Sequence, residues 1–422
     1  MRTSYNLLQT FVFVALMCNC LVNSAQSKTS QEKRTGTDEV IAEHPPMGWN
    51  SWNWFGKHTV NEKIIVEVID AIVESGLRDA GYEFVVIDGG WRDTKLGPNR
   101  ELLPHPGKFP NGVEWLADYA HSKGLKFGLH TVPGTHDCIG DPVGGFGNEE
   151  THIRQLLDWG VDFVKLDKCR LTGGWSDQAL SETYLKWGRL LREMSDRPVV
   201  LSISAYEWND WSPEAGNMAR TTEDICAKVA GMSGCQAVFD DPIPENINRW
   251  GMLNIMQIAE VNNEWAESAG SGFWNDPDML VTGDHGLNND EQKSHFALWC
   301  IMSAPLMLGN DPRNMVPEEL AIISNQKAIA INQDPTEQGR RLLSEGNTEV
   351  WAKQLVGGDV AILLLNRNKH QQKTVSLDLE DVGITSEVGV EDVFANKQLG
   401  TASGKITYAV GPRASLFLKL TR

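Results

Sequence analysis

The stretch FVKLDKC at residues 163–169 is the most informative part of the chain, because it begins as a buried strand and ends in an ionisable pair. Side chains two positions apart on a strand project from the same face, so Lys165 and Asp167 point one way while Val164 and Leu166 pack on the other. A carboxylate at the end of an apolar strand is costly to bury unless it is paired or used. The stretch therefore indicates either a structural ion pair or a functional site at a strand end.

Strand-like and helix-like segments alternate on both sides of this stretch, from about residue 45 to 310. Buried strands are expected at 82–88, 125–131, 162–167, 199–205 and 304–309. Helical periodicity predicts helices at 59–78, 149–159 and 178–194, the first with a capping box of Thr59 and Glu62. This alternation predicts an α/β fold with a parallel sheet.

The length of the alternating region favours a (β/α)8 TIM barrel at residues 43–337, since no glycine-rich dinucleotide turn follows the first strand. The composition changes after this region. Short alternating strands separated by turn residues are expected at 348–354, 360–366, 373–377 and 414–420. Residues 338–422 are therefore predicted to form a second, antiparallel β domain.

The first 25 residues are typical of a secretory signal peptide, with Arg2, an apolar run at 7–22 and small residues before the expected cleavage site. The apolar run is too short and too interrupted for a spanning helix. We expect residues 26–42 to form a disordered lead-in and the protein to be secreted or periplasmic. Cys18 and Cys20 offer a lipid anchor as an alternative, which a poor lipobox disfavours.

The formal charge of −18 argues against nucleic acid or an anionic membrane as a partner and fits a neutral substrate. Five cysteines follow the signal. Cys226 and Cys235 could close a small loop, and Cys138 and Cys169 could meet at one end of a sheet. Cys300 lies in an apolar run and is expected to be a buried free thiol. No spacing typical of a metal site occurs, so no metal is expected.

Chemistry in a barrel gathers at the carboxyl ends of the strands. Reading those ends in order gives Trp49, Trp52, Asp88, Trp91, His130, Lys165, Asp167, Tyr206, Glu207, Trp208, Arg220, Asp224, Trp274, Asp276 and Asp278. Indole rings cover the apolar faces of sugars, and charged groups bind their hydroxyls. Each tryptophan could instead fill the core, and each aspartate could stabilise a turn. The prediction of carbohydrate chemistry therefore rests on the occurrence of these residues together at the strand ends.

Two carboxylates that flank a glycosidic bond suffice to hydrolyse it. Asp167 would attack the anomeric carbon, and Lys165 would keep it ionised. Asp224 would be the protonated partner, with its pKa raised by other carboxylates. A separation of about 5–5.5 Å between the carboxyl groups predicts retention of configuration, and a wider gap predicts inversion.

The chain resembles glycoside hydrolase family 27, the family of α-galactosidases and α-N-acetylgalactosaminidases. The motifs that carry the resemblance occur in family order between about residues 45 and 337: PPMGWNSWN, IDGGW, KFPNGVEWLADYAHSKGLKFGLH, DWGVDFVKLDKC, EAGNMARTTEDI, FWNDPDMLVTG, APLMLGNDPR and AIAINQDP. The resemblance implies a barrel followed by a C-terminal β-sandwich. It also implies hydrolysis with retention through a covalent glycosyl-enzyme, without a metal or an organic cofactor.

Carried over by position, the resemblance implies that Asp167 is the nucleophile and Asp224 the general acid/base. It implies a disulfide between Cys138 and Cys169 beside the nucleophile; Cys226 and Cys235 are expected to form a second. The expected substrate-binding residues are Trp52, Asp88, Trp91, His130, Lys165, Glu207, Arg220 and Asp278.

The chain departs from the family pattern around the sugar pocket. α-Galactosidases usually carry two consecutive aspartates where this chain has Asp88 and Gly89, and losing one such hydrogen bond can cost about 1.5–3 kcal/mol. His130 replaces the usual tyrosine, and Val132 replaces the acid that follows it. Gly90 and Tyr206 replace two usual cysteines, and residues 226–269 form a longer segment than is typical.

We therefore expect an exported, retaining exo-glycoside hydrolase that removes a terminal α-galactosyl or closely related residue from an oligosaccharide or polysaccharide. Glu207 and Trp208 disfavour an α-N-acetylgalactosaminidase. Open alternatives are a β-L-arabinopyranosidase, an exo-hydrolase of a modified or 3,6-anhydro galactose from algal galactans, and a carbohydrate-binding protein that has lost catalysis. A metal-dependent barrel hydrolase is a further alternative, and a homodimer is compatible with the sequence.

Overall fold

The computed structural model describes residues 40–230, 235–246, 248 and 251–422. The expected signal peptide and most of the expected lead-in lie outside these residues. Within the described residues, no helix has both the length and the apolar character needed to cross a membrane.

Eight parallel strands of the described chain form one curled sheet, which confirms the predicted barrel. They are β1 (Met47–Asn50), β2 (Phe84–Ile87), β3 (Lys126–Thr131), β4 (Phe163–Asp167), β5 (Val200–Ser204), β6 (Met218–Arg220), β7 (Trp274–Asp276) and β8 (Leu306–Leu308). Their hydrogen-bonded order is β7-β6-β5-β4-β3-β2-β1-β8. Leu280, just after β7, pairs in parallel with Leu308 of β8, and this bridge links the two ends of the sheet.

Helices follow the strands and cover the outside of the sheet. Those of the described residues are α1 (Trp52–Thr59), α2 (Glu62–Glu74), α3 (Leu77–Ala80), α4 (Gly112–Ser122), α5 (Glu149–Asp158), α6 (Asp177–Met194), α7 (Ser212–Ala215), α8 (Ile255–Glu264), α9 (Asn289–Ile301), α10 (Pro317–Ile323) and α11 (Gln326–Asn332). The helix predicted at 59–78 is divided at Gly76, whose φ of 80° interrupts the helical backbone.

The start of α2 differs from the predicted capping box. The side chain of Asn61 accepts a hydrogen bond from the backbone N–H of Ile64 at 3.1 Å and caps the helix. The hydroxyl of Thr59 donates instead to the carbonyl of Phe55, one turn back in α1. The predicted pairing of Thr59 with Glu62 was therefore wrong, because a neighbouring asparagine takes the capping position.

The alternation of side chains along β4 separates two cores, as the sequence predicts. Val164 and Leu166 join the apolar layer between the sheet and the helices. Phe163 points the other way, into a cluster of interior side chains that contains Phe84, Val86, Val200, Met218, Trp274 and Met307. Lys165 and Asp167 continue this interior face towards the carboxyl end of the barrel.

The C-terminal domain is built of two antiparallel sheets, in agreement with the expected β-sandwich. A six-stranded sheet has the order β14-β13-β16-β11-β10-β9, and a two-stranded sheet pairs β12 with β15. The strands are β9 (Arg340–Glu345), β10 (Thr348–Gln354), β11 (Val360–Asn366), β12 (Lys373–Asp378), β13 (Val388–Asp392), β14 (Lys397–Ala402), β15 (Lys405–Val410) and β16 (Ser415–Thr421).

Every residue of β11 is buried, because the strand packs on both faces. Ala361, Leu363 and Leu365 belong to the large core that also contains the barrel helices. Ile362 and Leu364 belong to the core of the β domain itself. The barrel and the β domain therefore share apolar contacts through this strand.

The cysteines pair as expected. Cys138 is joined to Cys169, and Cys226 is joined to Cys235. Cys300 lies in α9 as a buried free thiol.

Candidate active site

The polar residues predicted at the strand ends meet on the interior face of the barrel. In the pairing register, His130 of β3 lies opposite Lys165 of β4, and Arg220 of β6 lies opposite Asp276 of β7. Apolar side chains fill the interior below them. The carboxyl end of the barrel is thus a pocket lined with ionisable groups over an apolar floor.

Asp88 and Lys165 form a buried ion pair in the pocket. Lys165 Nζ donates to Asp88 Oδ2 at 2.7 Å, and Asn50 Nδ2 donates to the same oxygen at 3.0 Å. The backbone N–H of Gly89 donates to Asp88 Oδ1 at 2.7 Å. Burial opposes ionisation of Asp88, but the charges of Lys165 and His130 hold its pKa well below the usual range. The pair therefore stays charged throughout the neutral pH range.

Asp167 forms a side-chain hydrogen bond with His130 and not with Lys165. The distance from His130 Nε2 to Asp167 Oδ2 is 3.2 Å. Burial raises the pKa of Asp167, but the hydrogen bond from His130 and the charge of Lys165 lower it by more. Asp167 Oδ1 meets no hydrogen-bond donor of ordinary geometry among the described residues. Asp167 therefore favours the ionised form, and its Oδ1 is buried on the interior face of the barrel.

His130 is held in place by Trp91. The indole Nε1–H of Trp91 donates to the carbonyl of His130 at 2.8 Å, and its ring packs edge to face against Trp159. Trp91 is 0% exposed, so the structure offers no surface of it to a sugar, contrary to the sequence prediction. Its place behind the pocket makes it a support for the end of β3.

Asp224 lies four residues beyond β6 and faces the pocket from its rim. Its side chain is 45% exposed, and Arg220 Nη1 donates to its Oδ1 at 3.0 Å. Desolvation at the rim raises the pKa of Asp224 despite Arg220, and the negative charges of Asp278 and Asp167 add to the rise. This direction agrees with the sequence expectation of a protonated partner for Asp167.

Asp278 orients Arg220 and has little freedom to bind anything else. Its Oδ2 lies 3.1 Å from Arg220 Nη2 and accepts the backbone N–H of Ile225 at 2.8 Å, while its Oδ1 accepts that of Met279 at 2.9 Å. Asp278 is buried and has a φ of 76°, which few residues other than glycine adopt. The predicted sugar-binding role is therefore better described as positioning of Arg220.

The pocket also contains two groups for which no specific role was predicted. Asp276 is buried beside Arg220, and burial raises its pKa to about 6. Tyr206 follows β5, where burial and the carboxylates of Asp167 and Asp224 raise the pKa of its phenol. The sequence signals for these two were their positions at strand ends and, for Tyr206, its replacement of a cysteine that is usual in the family.

The rim carries the remaining predicted residues. Glu207 is largely exposed, and its Oε1 accepts a hydrogen bond from Lys168 Nζ at 3.0 Å. Trp52 is partly buried and lies next to Gly89. By contrast, Trp49 and Trp274 are fully buried. Several of the tryptophans assigned to the mouth by sequence are therefore core residues, which was the alternative reading of each.

The disulfide between Cys138 and Cys169 adjoins the pocket. Its sulfur atoms lie within 4.8 Å of ligand atoms of His130 and Asp167, which is a set of residue types that binds metals. The two sulfurs are bonded to each other, so neither is available as a thiolate ligand. His130 and Asp167 are hydrogen-bonded together, and two ligands do not make a closed metal site.

Comparison with known proteins gives matches along most of the chain. The family model described as alpha galactosidase A matches residues 44–334, and the model of the alpha galactosidase C-terminal beta sandwich domain matches residues 345–420. Alpha-galactosidase of Cyamopsis tetragonoloba is 34% identical over 404 residues, covering 94% of this chain and 91% of the relative. Alpha-galactosidase 3 of Arabidopsis thaliana is 37% identical over 379 residues, covering 88% and 80%.

Solved structures agree with this match. The crystal structure of alpha-galactosidase I from Mortierella vinacea superposes with a TM-score of 0.83 at 28% identity, covering 91% of this chain and 98% of that one.

Lys165→Met should lower the free energy of unfolding by about 3–5 kcal/mol at neutral pH, because it leaves Asp88 buried without its cation. Lys168→Met is the matched control: its partner Glu207 is exposed, so we expect a change within about 1 kcal/mol. Urea denaturation of both variants measures the difference. Equal losses would show that the Asp88–Lys165 pair does not carry this stability.

Proposed function

Because the chain belongs to glycoside hydrolase family 27, the α-galactosidase family, and is therefore a glycoside hydrolase, we propose that it removes a terminal α-galactosyl or closely related residue. The proposed reaction is exo-acting and retains configuration, with Asp167 as nucleophile and Asp224 as general acid/base.

The observation that carries this proposal is the difference between the surroundings of the two carboxyl groups, since Asp167 lies beside His130 and Lys165 while Asp224 lies near other carboxylates. Their surroundings lower the pKa of Asp167 and raise that of Asp224. Two titratable groups whose environments separate their pKa values are the pattern expected of a base or nucleophile and an acid. One carboxylate can then attack while the other still has a proton to give.

The proposed mechanism has two steps. In the first, Asp167 bonds to the anomeric carbon as the bond to the leaving oxygen breaks, and Asp224 gives its proton to that oxygen. In the second, Asp224 takes a proton from water, the water oxygen bonds to the anomeric carbon, and the bond to Asp167 breaks. Both carboxyl groups return to their starting protonation states.

Asp88, Lys165 and Arg220 are the proposed anchors for sugar hydroxyls, because they present charged groups in a desolvated pocket. A hydrogen bond to a charged partner contributes about 1.5–3 kcal/mol. Arg220 is fixed by Asp278 and Asp224, and Lys165 is fixed by Asp88. Preorganised donors of this kind bind a sugar without a further cost of ordering their own side chains.

The glycone itself depends on Gly89 and His130. Gly89 offers no carboxylate, and His130 is bonded to Asp167 while its Nδ1 has no partner among the described residues.

The first candidate substrate is an α-galactoside. A β-L-arabinopyranoside or a modified or 3,6-anhydro galactose from algal galactans fits a pocket with fewer hydroxyl acceptors. A panel of these three substrate classes would separate the candidates. The intact pair of Asp167 and Asp224 disfavours a protein that only binds carbohydrate.

Export from the cell is part of the proposal. It is supported by the apolar leader with Arg2 and by two disulfides, which form and persist in oxidising compartments.

Asp167→Asn should abolish hydrolysis of an activated aryl α-galactoside, because an amide cannot act as the ionised nucleophile. Asp290→Asn, an exposed aspartate in the first turn of α9, is the control and should keep wild-type turnover. Release of the phenol followed by absorbance gives the rates. Unchanged turnover of Asp167→Asn would contradict the assignment of the nucleophile.

The pH profile of kcat/KM should be bell-shaped. Activity is lost on the acidic side when Asp167 takes up a proton, at a pH below the usual aspartate range, and on the alkaline side when Asp224 loses its proton, above that range. Asp278→Asn removes a negative charge that raises the pKa of Asp224, so the alkaline limb should move to lower pH. Asp284→Asn, which removes an exposed charge paired with Lys228, should leave that limb in place. An alkaline limb unmoved in Asp278→Asn would contradict the assignment of Asp224.

Gly89→Asp should increase kcat/KM for a simple α-galactoside by about tenfold or more, because it restores a charged hydrogen bond to the sugar. The backbone accepts the change: a Cβ at Gly89 would lie 3.6 Å from the ring of Trp52, which is ordinary van der Waals contact. Gly89→Ala controls for the side chain alone and should show no gain. The absence of a gain in a folded Gly89→Asp would mean that the pocket differs from that of α-galactosidases beyond this position.

A further inference from the structure

Charged side chains join the C-terminal β domain to the segment that follows Asp224. Arg367, directly after β11, donates from Nε and Nη2 to the two carboxylate oxygens of Asp240 at 3.0 and 2.6 Å. Arg413, shortly before β16, donates from Nη2 to Asp241 at 2.9 Å and lies 3.2 Å from Asp240 through Nη1. We call Asp240, Asp241, Arg367 and Arg413 the Arg–Asp cluster.

The cluster is more constrained than an ordinary surface ion pair. Arg413 is 6% exposed, and its guanidinium lies over the ring of Phe239 at 5.8 Å. Arg367 also bonds to the fully buried carboxylate of Glu349 at 2.8 Å. Bidentate and partly buried pairs of this kind fix both partners, whereas exposed single contacts do not.

The residues just before the cluster hold the start of α8. The backbone N–H of Ile255 donates to the carbonyl of Val238 at 3.0 Å, and that of Met256 donates to the carbonyl of Phe239 at 3.0 Å. Asn254 Nδ2 donates to the carbonyl of Asp241 at 3.2 Å. These hydrogen bonds connect residues 254–256 to residues 238–241, which include the two aspartates of the Arg–Asp cluster.

Two further backbone hydrogen bonds connect Leu253 with Asp224 and Cys226. Leu253 donates its N–H to the carbonyl of Asp224 at 2.9 Å, and the N–H of Cys226 donates to the carbonyl of Leu253 at 3.0 Å. Ile225, between them, pairs with Leu253 in a parallel bridge. The backbone around Asp224 is therefore fixed from the side of residues 253–256.

The barrel holds the side chain of Asp224 through Arg220, whose Nη1 donates to it at 3.0 Å, and residues 253–256 hold its backbone. Asp224 lies beyond the end of β6, and its side chain is half exposed, whereas Asp167 is the last residue of β4 and is buried. We propose that the Arg–Asp cluster positions Asp224, so that the C-terminal β domain takes part in catalysis through the general acid/base. This inference rests on the proposed function, in which Asp224 gives and takes the proton.

The chemistry gives this role a signature that loss of stability alone would not produce. A poor leaving group needs the proton from Asp224 in the first step, whereas a good one leaves without it. The second step needs Asp224 as a base for water, but azide attacks the glycosyl-enzyme without base assistance. A displaced Asp224 therefore harms poor substrates selectively and leaves an enzyme that azide can rescue.

The test is the double variant Asp240→Asn/Asp241→Asn, assayed with aryl α-D-galactopyranosides of graded leaving-group ability. We expect kcat/KM for the phenyl glycoside to fall by about tenfold or more. We expect kcat/KM for the 2,4-dinitrophenyl glycoside to stay within about twofold, and azide to restore kcat on it. Glu391→Gln is the matched control, because it removes another ion pair between the barrel and the β domain, with Lys327, far along the chain from Asp224.

A uniform loss across the leaving groups, or a profile equal to that of Glu391→Gln, would overturn the positioning role. Arg413→Lys serves as a second variant that keeps the positive charge but loses the paired geometry, and it should show the same signature if the double variant fails to fold. Asp224→Ala separates the two proposals. If Asp224→Ala shows the leaving-group dependence and the cluster variants do not, the positioning role of the cluster is wrong but the role of Asp224 stands. If Asp224→Ala lacks the dependence, the general acid/base role of Asp224 is wrong as well.

Discussion

The ion pair between Lys165 and Asp88 is the interaction on which the rest of the pocket depends. Ionisable side chains from several strands face one another inside a desolvated barrel end, and unpaired charges there would cost several kcal/mol each. One ammonium bonded to Asp88 at 2.7 Å also lowers the pKa of Asp167 at a distance. Asp167, the proposed nucleophile, can then remain ionised without a direct hydrogen bond to Lys165. Such a bond would occupy a carboxylate oxygen that the proposed mechanism needs for attack.

The sequence predicted the barrel well because the longer strands carry a clear alternation. In β4, Val164 and Leu166 pack under the helices while Lys165 and Asp167 face the interior, as their spacing requires. The strands β1, β6 and β7 have three or four residues each and lie in no long apolar run, whereas the equally short β2 and β8 lie in the apolar runs at 82–88 and 304–309. The positions of β1, β6 and β7 could only be inferred from the motifs that end them.

Roles within the pocket were harder to predict, since they depend on neighbours from distant parts of the chain. Trp91 and Asp278 were assigned to the sugar, yet one is buried behind His130 and the other is bonded to Arg220 and to two backbone amides. The two glycines of IDGGW differ in the same way. Gly89 has room for a side chain, whereas Gly90 has a φ of 104° and its added Cβ would lie 2.5 Å from the carbonyl oxygen of Lys57. Only the surrounding backbone distinguishes a replaceable glycine from a required one.

The strand β11 has a consequence for how the molecule unfolds. Its alternate residues complete two different apolar cores, so neither core is closed unless this strand is in place. A truncation that ended the polypeptide after the barrel would uncover the helix face on which Ala361, Leu363 and Leu365 rest. The two domains are accordingly expected to unfold in one cooperative transition, and a barrel without its C-terminal domain would need a different surface on the helices that β11 covers.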